Sequence, residues 1–227
     1  MSEQPHTPPK RGGDTWRMLR TLLGVSLLSG MLIVLAYETT LPRILANRQR
    51  TIEEAVFRVL PGATTKATYL IEGESLKLVG EGQTPGQKLY AGYDDAGQLI
   101  GVAIEGAGQG YQDIIRVLYG YSPDKQCTTG FTVVESKETP GLGDKIGFDP
   151  AFLANFDGLT LELNDDRSGL RNVVVGLKHG AKKNPWEIDG ISGATISSKA
   201  VGRIVNDSAS KIAPLLLKNL ERIKAKQ

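Results

Sequence analysis

Cysteine is nearly missing: Cys127 is the only one in 227 residues. One thiol cannot close a disulfide within the chain or supply the ligands of an iron-sulfur cluster or a structural zinc site. Histidine is almost as scarce, with His6 and His179 alone, so a histidine-based metal centre has little to stand on. An excess of either charge is absent too. Lys and Arg number 27 against 25 Asp and Glu, and no aromatic residues interleave with a basic stripe, so nucleic-acid binding is not expected. A G-x-G-x-x-G unit between a strand and a helix is lacking, which argues against direct NAD binding, and the cluster Gly106 to Gly110, GAGQG, reads as a loop. Lys199 follows the nearby serines without the spacing of a phosphate-binding Walker loop, which excludes ATP hydrolysis.

One long apolar run is present. Thr21 to Tyr37 carries no charge, and Met18 and Leu19 extend it beyond Arg20. Residues 18–37 therefore read as one transmembrane helix, with about 20 residues needed to cross a bilayer core. The run is longer than a typical signal core and no small-x-small cleavage site follows, so an uncleaved anchor is expected. Lys10, Arg11, Arg17 and Arg20 precede it while Arg43, Arg48 and Arg50 follow, a four-to-three bias toward a cytoplasmic N-terminus and an exported C-terminal domain. Residues 1–17, with Pro5, Pro8, Pro9, Gly12 and Gly13, read as an irregular cytoplasmic lead-in.

Residues 38–62 read as a membrane-proximal helical linker. Thr40 is its candidate cap, Pro42 sits in its first turn, Leu45, Ile52, Val56 and Val59 fall near helical spacing, and Pro61-Gly62 ends it. From Ala67 to Glu135 the pattern becomes short β-branched and aromatic runs broken by Gly, Pro and Asp. Strand following strand predicts antiparallel sheet in an α+β domain over residues 63–227. Two stretches look alike, GYDDAGQLIGVAIE from Gly92 and GYSPDKQCTTGFTVVE from Gly120, and are read as two related hairpins curving around one site. Val201, Ile204, Val205 and Ile212 form a helical stripe that should kink or restart at Pro214. Cys127 reads as a buried small apolar position.

The segment DGISGATISSKA, from Asp189, stands directly before that helix. The plain reading is that Thr195 or Ser197 caps the helix. GISGA also approaches a G-x-S-x-G elbow, which would make Ser192 the nucleophile of an exported serine hydrolase with His179 as base, though the sequence shows no partner carboxylate. The third reading is an anion site. A helix start exposes unpaired N–H groups, Gly193 and Ala194 allow close approach, and Ser192, Ser197 and Ser198 can donate to phosphate oxygens.

The pattern D-x-x-S-G-A-T, here Asp189, Ser192, Gly193, Ala194 and Thr195, resembles the flavinylation motif of the FMN-binding domain of Rnf and Na+-pumping NADH:quinone reductase complexes. The resemblance implies that Thr195 carries FMN through a phosphoester made by a separate flavin transferase. A second signature of that family is ETPGLGD, in which Pro140-Gly141 suits a type II turn. By the same resemblance, Glu138, Thr139, Gly141, Leu142 and Gly143 form the loop that cradles the isoalloxazine. Tyr37-Glu38, Leu41-Pro42-Arg43-Ile44 and Val59-Leu60-Pro61-Gly62-Ala63 look like the family of Rnf G subunits. That likeness implies an electron-relaying subunit of a bacterial inner-membrane complex that couples ferredoxin and NAD chemistry to ion transport, rather than a stand-alone enzyme. Its partners would be membrane lipid and the other membrane subunits, with a non-catalytic assembly subunit as a further alternative. Ser136 departs from the family pattern, which often has histidine two residues before this glutamate.

Overall fold

The computed structural model describes residues 12–80 and 86–226. Helix α1, Gly12–Val59, is continuous for 48 residues. The expected lead-in lies outside the described residues up to residue 11, and from Gly12 onward the chain is helical. No new helix starts at Thr40. The Thr39 and Thr40 hydroxyls donate back to the carbonyls of Leu35 and Ala36, each at 2.8 Å, and Pro42 lies inside the helix. Thr15–Val59 is long and apolar enough to cross a membrane, and its large side chains from Leu22 to Tyr37 are exposed. The chain divides into two units between Arg50 and Thr51.

The second unit is built on a six-stranded antiparallel sheet in the order β2-β1-β3-β4-β5-β6. Its strands are β1 (Thr65–Glu72), β2 (Ser75–Val79), β3 (Lys88–Tyr93), β4 (Leu99–Gln109), β5 (Ile114–Ser122) and β6 (Cys127–Glu135). The inner strands are buried on both faces by alternation of side chains. Tyr90, Ala103 and Leu118 point to one side, where Ile52, Val56, Val59 and Leu60 cover them. Their neighbours Leu89, Val102, Ile104, Val117 and Tyr119 point to the other, against Val201, Ile204, Val205 and Ala209 of helix α3 (Thr195–Lys218).

The two Gly-Tyr stretches are adjacent hairpins, β3–β4 and β5–β6, each with a register shift at its Gly-Tyr pair. What they share is a seat for the end of α1. Gly92 pairs with Gly101 and Gly120 with Gly130, and a Cβ on Gly92 would lie 2.7 Å from Leu60 Cδ1. Thr129 Oγ1 donates to the Val59 carbonyl at 2.7 Å. The expectation that these hairpins curve around the functional site is corrected, because the bare glycine row serves helix packing.

GAGQG is also reassigned: β4 runs on to Gln109, so its first four residues are strand. The strand survives there because Gly106 and Gly108 let α3 approach, a Cβ on each falling within 2.8 Å of Ile204 side-chain atoms. Helix α3 likewise passes through Pro214, ends at Lys218, and gives way at Asn219 to α4 (Leu220–Lys224). Asn219 turns the chain by donating from its side chain to the carbonyls of Leu215 and Glu74. Cys127 is half-buried at the start of β6, and that burial pushes its thiol pKa up.

After β6 come a turn around Thr139, a short 3-10 turn (Gly143–Gly147), helix α2 (Pro150–Leu153) and the parallel pair β7 (Val175–Gly176) and β8 (Glu187–Ile188). This irregular stretch brings the Thr139 turn to the start of α3.

Candidate functional site

Thr195 is the first residue of α3 and is half-buried. The residue before it, Ala194, has φ −127° and ψ 30°, and no side chain caps this end. Capping by Thr195 or Ser197 is therefore not what the structure shows. The helix start keeps the unpaired N–H groups and positive dipole end that favour an anion. Gly193 has φ +82°, a left-handed conformation open to glycine at little cost, and lets the loop turn into the helix.

Two of the expected phosphate donors are committed elsewhere. Ser198 is fully buried, accepting from the Ile191 amide at 3.0 Å and donating to the Ala194 carbonyl at 2.9 Å, so it ties the loop from within. Ser197 is also buried and donates to Glu138 Oε2. Glu138 Oε1 accepts from the Gln112 amide at 2.9 Å.

Facing Thr195 is the turn from Thr139. The Leu142 amide donates to the Thr139 carbonyl at 3.2 Å and Gly141 has φ +75°, the type II geometry that Pro140-Gly141 predicts. Between this turn and the helix start is a cavity of about 370 Å³. Its walls include Glu138, Thr139, Leu142 and Gly143 on one side and Gly193, Ala194 and Thr195 on the other. Gly141 shapes the turn without lining the cavity.

Ser197 also lines it, as do Tyr111 and Ile196, which sequence reasoning missed as site residues. Tyr111, 65% exposed, follows Gly110 in the turn between β4 and β5. A large exposed aromatic between two strand-like runs was the available signal. The Ile114 amide and the Lys137 ammonium, 3.2 Å away, hold the nearby Asp113 carboxyl below the usual carboxylate range.

Asp189 and Ser192 fall on the other side of the same loop. With His179, Lys145 and Asp149 they line a second cavity of about 270 Å³. Asp189 Oδ1 accepts from the Gly180 amide at 2.7 Å, and Oδ2 lies 3.2 Å from His179 Nδ1. His179 thus has the carboxylate partner that the sequence did not reveal. A serine nucleophile must also reach its base. Among the described residues no hydrogen bond joins the exposed Ser192 to His179. Among the same residues, no group of three or more His, Cys, Asp or Glu side chains could hold a metal ion.

The FMN-binding domain family matches residues 110–210, a span that contains the Tyr111 turn, the Thr139 turn and the loop before α3. The site therefore lies in a domain of the FMN-binding class. Over 185 residues the chain is 31% identical to the G subunit of the ion-translocating oxidoreductase complex of Methanosarcina acetivorans, covering 82% of this chain and 87% of the relative. The corresponding G subunit of Cereibacter sphaeroides is 30% identical over 209 residues, 88% of each chain. In fold, the chain is similar to the crystal structure of the C subunit of the Na(+)-translocating NADH-quinone reductase from Parabacteroides distasonis. The TM-score is 0.59 at 21% identity, over 76% of this chain and 96% of that one. The chain belongs to the family of G subunits of ion-translocating oxidoreductase complexes.

Proposed function

We propose that this chain is a membrane-anchored flavoprotein subunit that relays electrons through FMN covalently held at Thr195, in an Rnf-type complex coupling ferredoxin and NAD electron transfer to ion transport. The observation that carries the reading is the placement of Thr195 on the wall of the larger cavity, at a helix start with no side-chain cap.

The residues present fit an FMN group. A phosphodiester at Thr195 Oγ1 would place its single negative charge at the positive end of α3, an arrangement worth about 0.3–1 kcal/mol. Gly143, pressed against Glu138 and Ser197, and Leu142 offer a flat and partly apolar wall to a ring. Thr139 and Tyr111 add a hydroxyl and an aromatic face, while Gly193 and Ala194 keep the loop slim beside the phosphate. Gly141 sets the turn, Asp189 ties the loop from its far side through the Gly180 amide, and Ser192 lies on that same side. When bound, the flavin supplies the redox couple that the side chains lack. The protein contributes position, exclusion of water and a covalent tether that prevents loss of the group between cycles.

The remaining parts of the reading concern assembly. Residues 18–37 span the bacterial inner membrane in contact with lipid, residues 38–62 link the span to the domain, and residues 63–227 form the FMN-binding domain on the periplasmic side. A flavin transferase modifies the exported domain, and neighbouring membrane subunits exchange electrons with it. The four-to-three charge bias supports this orientation.

The test is production of the full chain with and without a flavin transferase. Denatured, washed protein should fluoresce in a gel and gain the mass of FMN less water, and Thr195→Ala should lose both signals. Retention of the flavin by Thr195→Ala sinks the assignment of the attachment site. Labelling of Ser192 by a serine-directed phosphonate, with no flavin gained, would favour the hydrolase instead.

A further inference from the structure

We propose that Glu138 is a positioning residue that joins the three walls of the larger cavity from beneath and sets the charge felt by the group held there. The electrostatic half of this proposal rests on the flavin reading above. Glu138 is 5% exposed. Its Oε1 accepts from the Gln112 amide at 2.9 Å and lies 3.5 Å from the Asp113 amide, immediately after Tyr111. Its Oε2 accepts from the Ser197 hydroxyl, two residues beyond Thr195. The loop that carries Glu138 continues into Thr139, whose hydroxyl donates to Gln112 Oε1 at 3.2 Å. The turn of Tyr111, the turn of Thr139 and the first turn of α3 thus meet at one carboxylate, and these same segments line the cavity.

The surrounding sequence makes room for it. A Cβ on Gly143 would sit 2.7 Å from Oε2 and one on Gly110 would strike Oε1, so two missing side chains leave the carboxylate its space. Among the described residues, the groups that meet it are two amides and a hydroxyl rather than a Lys or Arg. Hydrogen bonds to a charged group are stronger than those between neutral partners, and three of them on one carboxylate hold the three segments in register. Dipoles solvate the charge without cancelling it, and in a low-dielectric setting its field reaches further than in water. A fixed negative charge beside a ring disfavours an added electron, so the carboxylate lowers the ring's midpoint potential.

Two measurements on the full chain separate the halves. Amide hydrogen exchange in a Thr195→Ala background requires no flavin. Adding Glu138→Ala should speed exchange about tenfold or more both at the Gln112 amide and at the Ser198 amide, which donates to the Ala194 carbonyl at the start of α3, with the β1–β3 pairing unchanged. Unaltered exchange at either place overturns the positioning role. In flavin-loaded protein, Glu138→Gln keeps the shape and removes the charge, so the midpoint read on the flavin-bearing fraction should become more positive. An unchanged or more negative midpoint overturns the electrostatic role. Ser197→Ala keeps the charge and loses one bond, so it should loosen the first turn while leaving the midpoint near that of the wild type, and a large midpoint shift there counts against the assignment. A wild-type chain that takes up no flavin overturns the preceding reading and the electrostatic half with it, whereas the exchange result decides the positioning half alone.

Discussion

The loop from Asp189 to Thr195 opens onto two cavities that differ in kind. On one side Thr195, Ala194 and Gly193 meet an aromatic, an aliphatic and a glycine-rich turn around a larger space. On the other, Asp189 and Ser192 meet His179, Lys145 and Asp149 around a smaller, more charged one. A seven-residue motif that reads as one unit in sequence therefore serves two surfaces. A tight turn explains the split. The Ala194 amide donates to the Ile191 carbonyl at 3.0 Å with Gly193 left-handed between them, so the two ends of the motif face opposite sides. The larger cavity has the space and the uncapped helix start that a phosphorylated ring needs, while the Asp189 contacts of the smaller one are those that hold a loop in place.

The sharpest way to break this comparison is to exchange the hydroxyls. Thr195→Ala should abolish covalent flavin, whereas Ser192→Ala should retain it, as read by gel fluorescence and intact mass. Equal loss in both variants would mean that the two sides act as one site. Next in size is Gly143→Ala, which puts a methyl 2.7 Å from Glu138 Oε2 and 2.8 Å from Ser197 Oγ. Overpacking of this kind costs about 1–3 kcal/mol. Thermal unfolding should shift down by that amount with flavin loading reduced, and an unchanged melting curve would show that the cavity wall yields freely.

A smaller effect is expected across the loop. His179 is largely exposed, its side chain 64% accessible, so losing its contact with Asp189 in His179→Gln should cost under about 1 kcal/mol and leave flavin content intact. A fall in loading would show that the smaller cavity takes part in holding the cofactor. The smallest effect belongs to Asp113, two residues beyond Tyr111. Its folded pKa is depressed by the Ile114 amide and by Lys137, so its contribution is present above the unfolded value and lost as pH falls through the folded one. Because the group is exposed, the change in stability is slight. A carboxyl titration by NMR should place Asp113 below an ordinary aspartate, and Lys137→Ala should move it back up.

Much of the fold was legible because its signals are local. The uncharged run before Tyr37, the alternation of the strands and the stripe of Val201, Ile204 and Val205 each follow from spacing within one segment. Pro140-Gly141 foretold its turn because proline presets one dihedral and glycine accepts the next. The errors fell where a distant segment overruled a local rule. GAGQG is strand because α3 lies on it, and α3 runs past Pro214 because burial of Ile212, Ala213 and Leu216 outweighs one missing hydrogen bond. Ser197 and Ser198 were read as free hydroxyls, and the folded chain satisfies both internally.

By itself the sequence determined that the chain has one anchor-length helix, a strand-rich domain after it and a loop whose small residues end at Thr195 before a helix, since each of these depends on composition and periodicity over a few residues. Only the tertiary structure decided that Tyr111 joins the site, that Ser192 and Asp189 leave it for the other side of their loop, and that Glu138 lies between segments 26 and 59 residues away in the chain. Contacts of that range are set by how α3 packs on the sheet, and no spacing rule within a single segment encodes them.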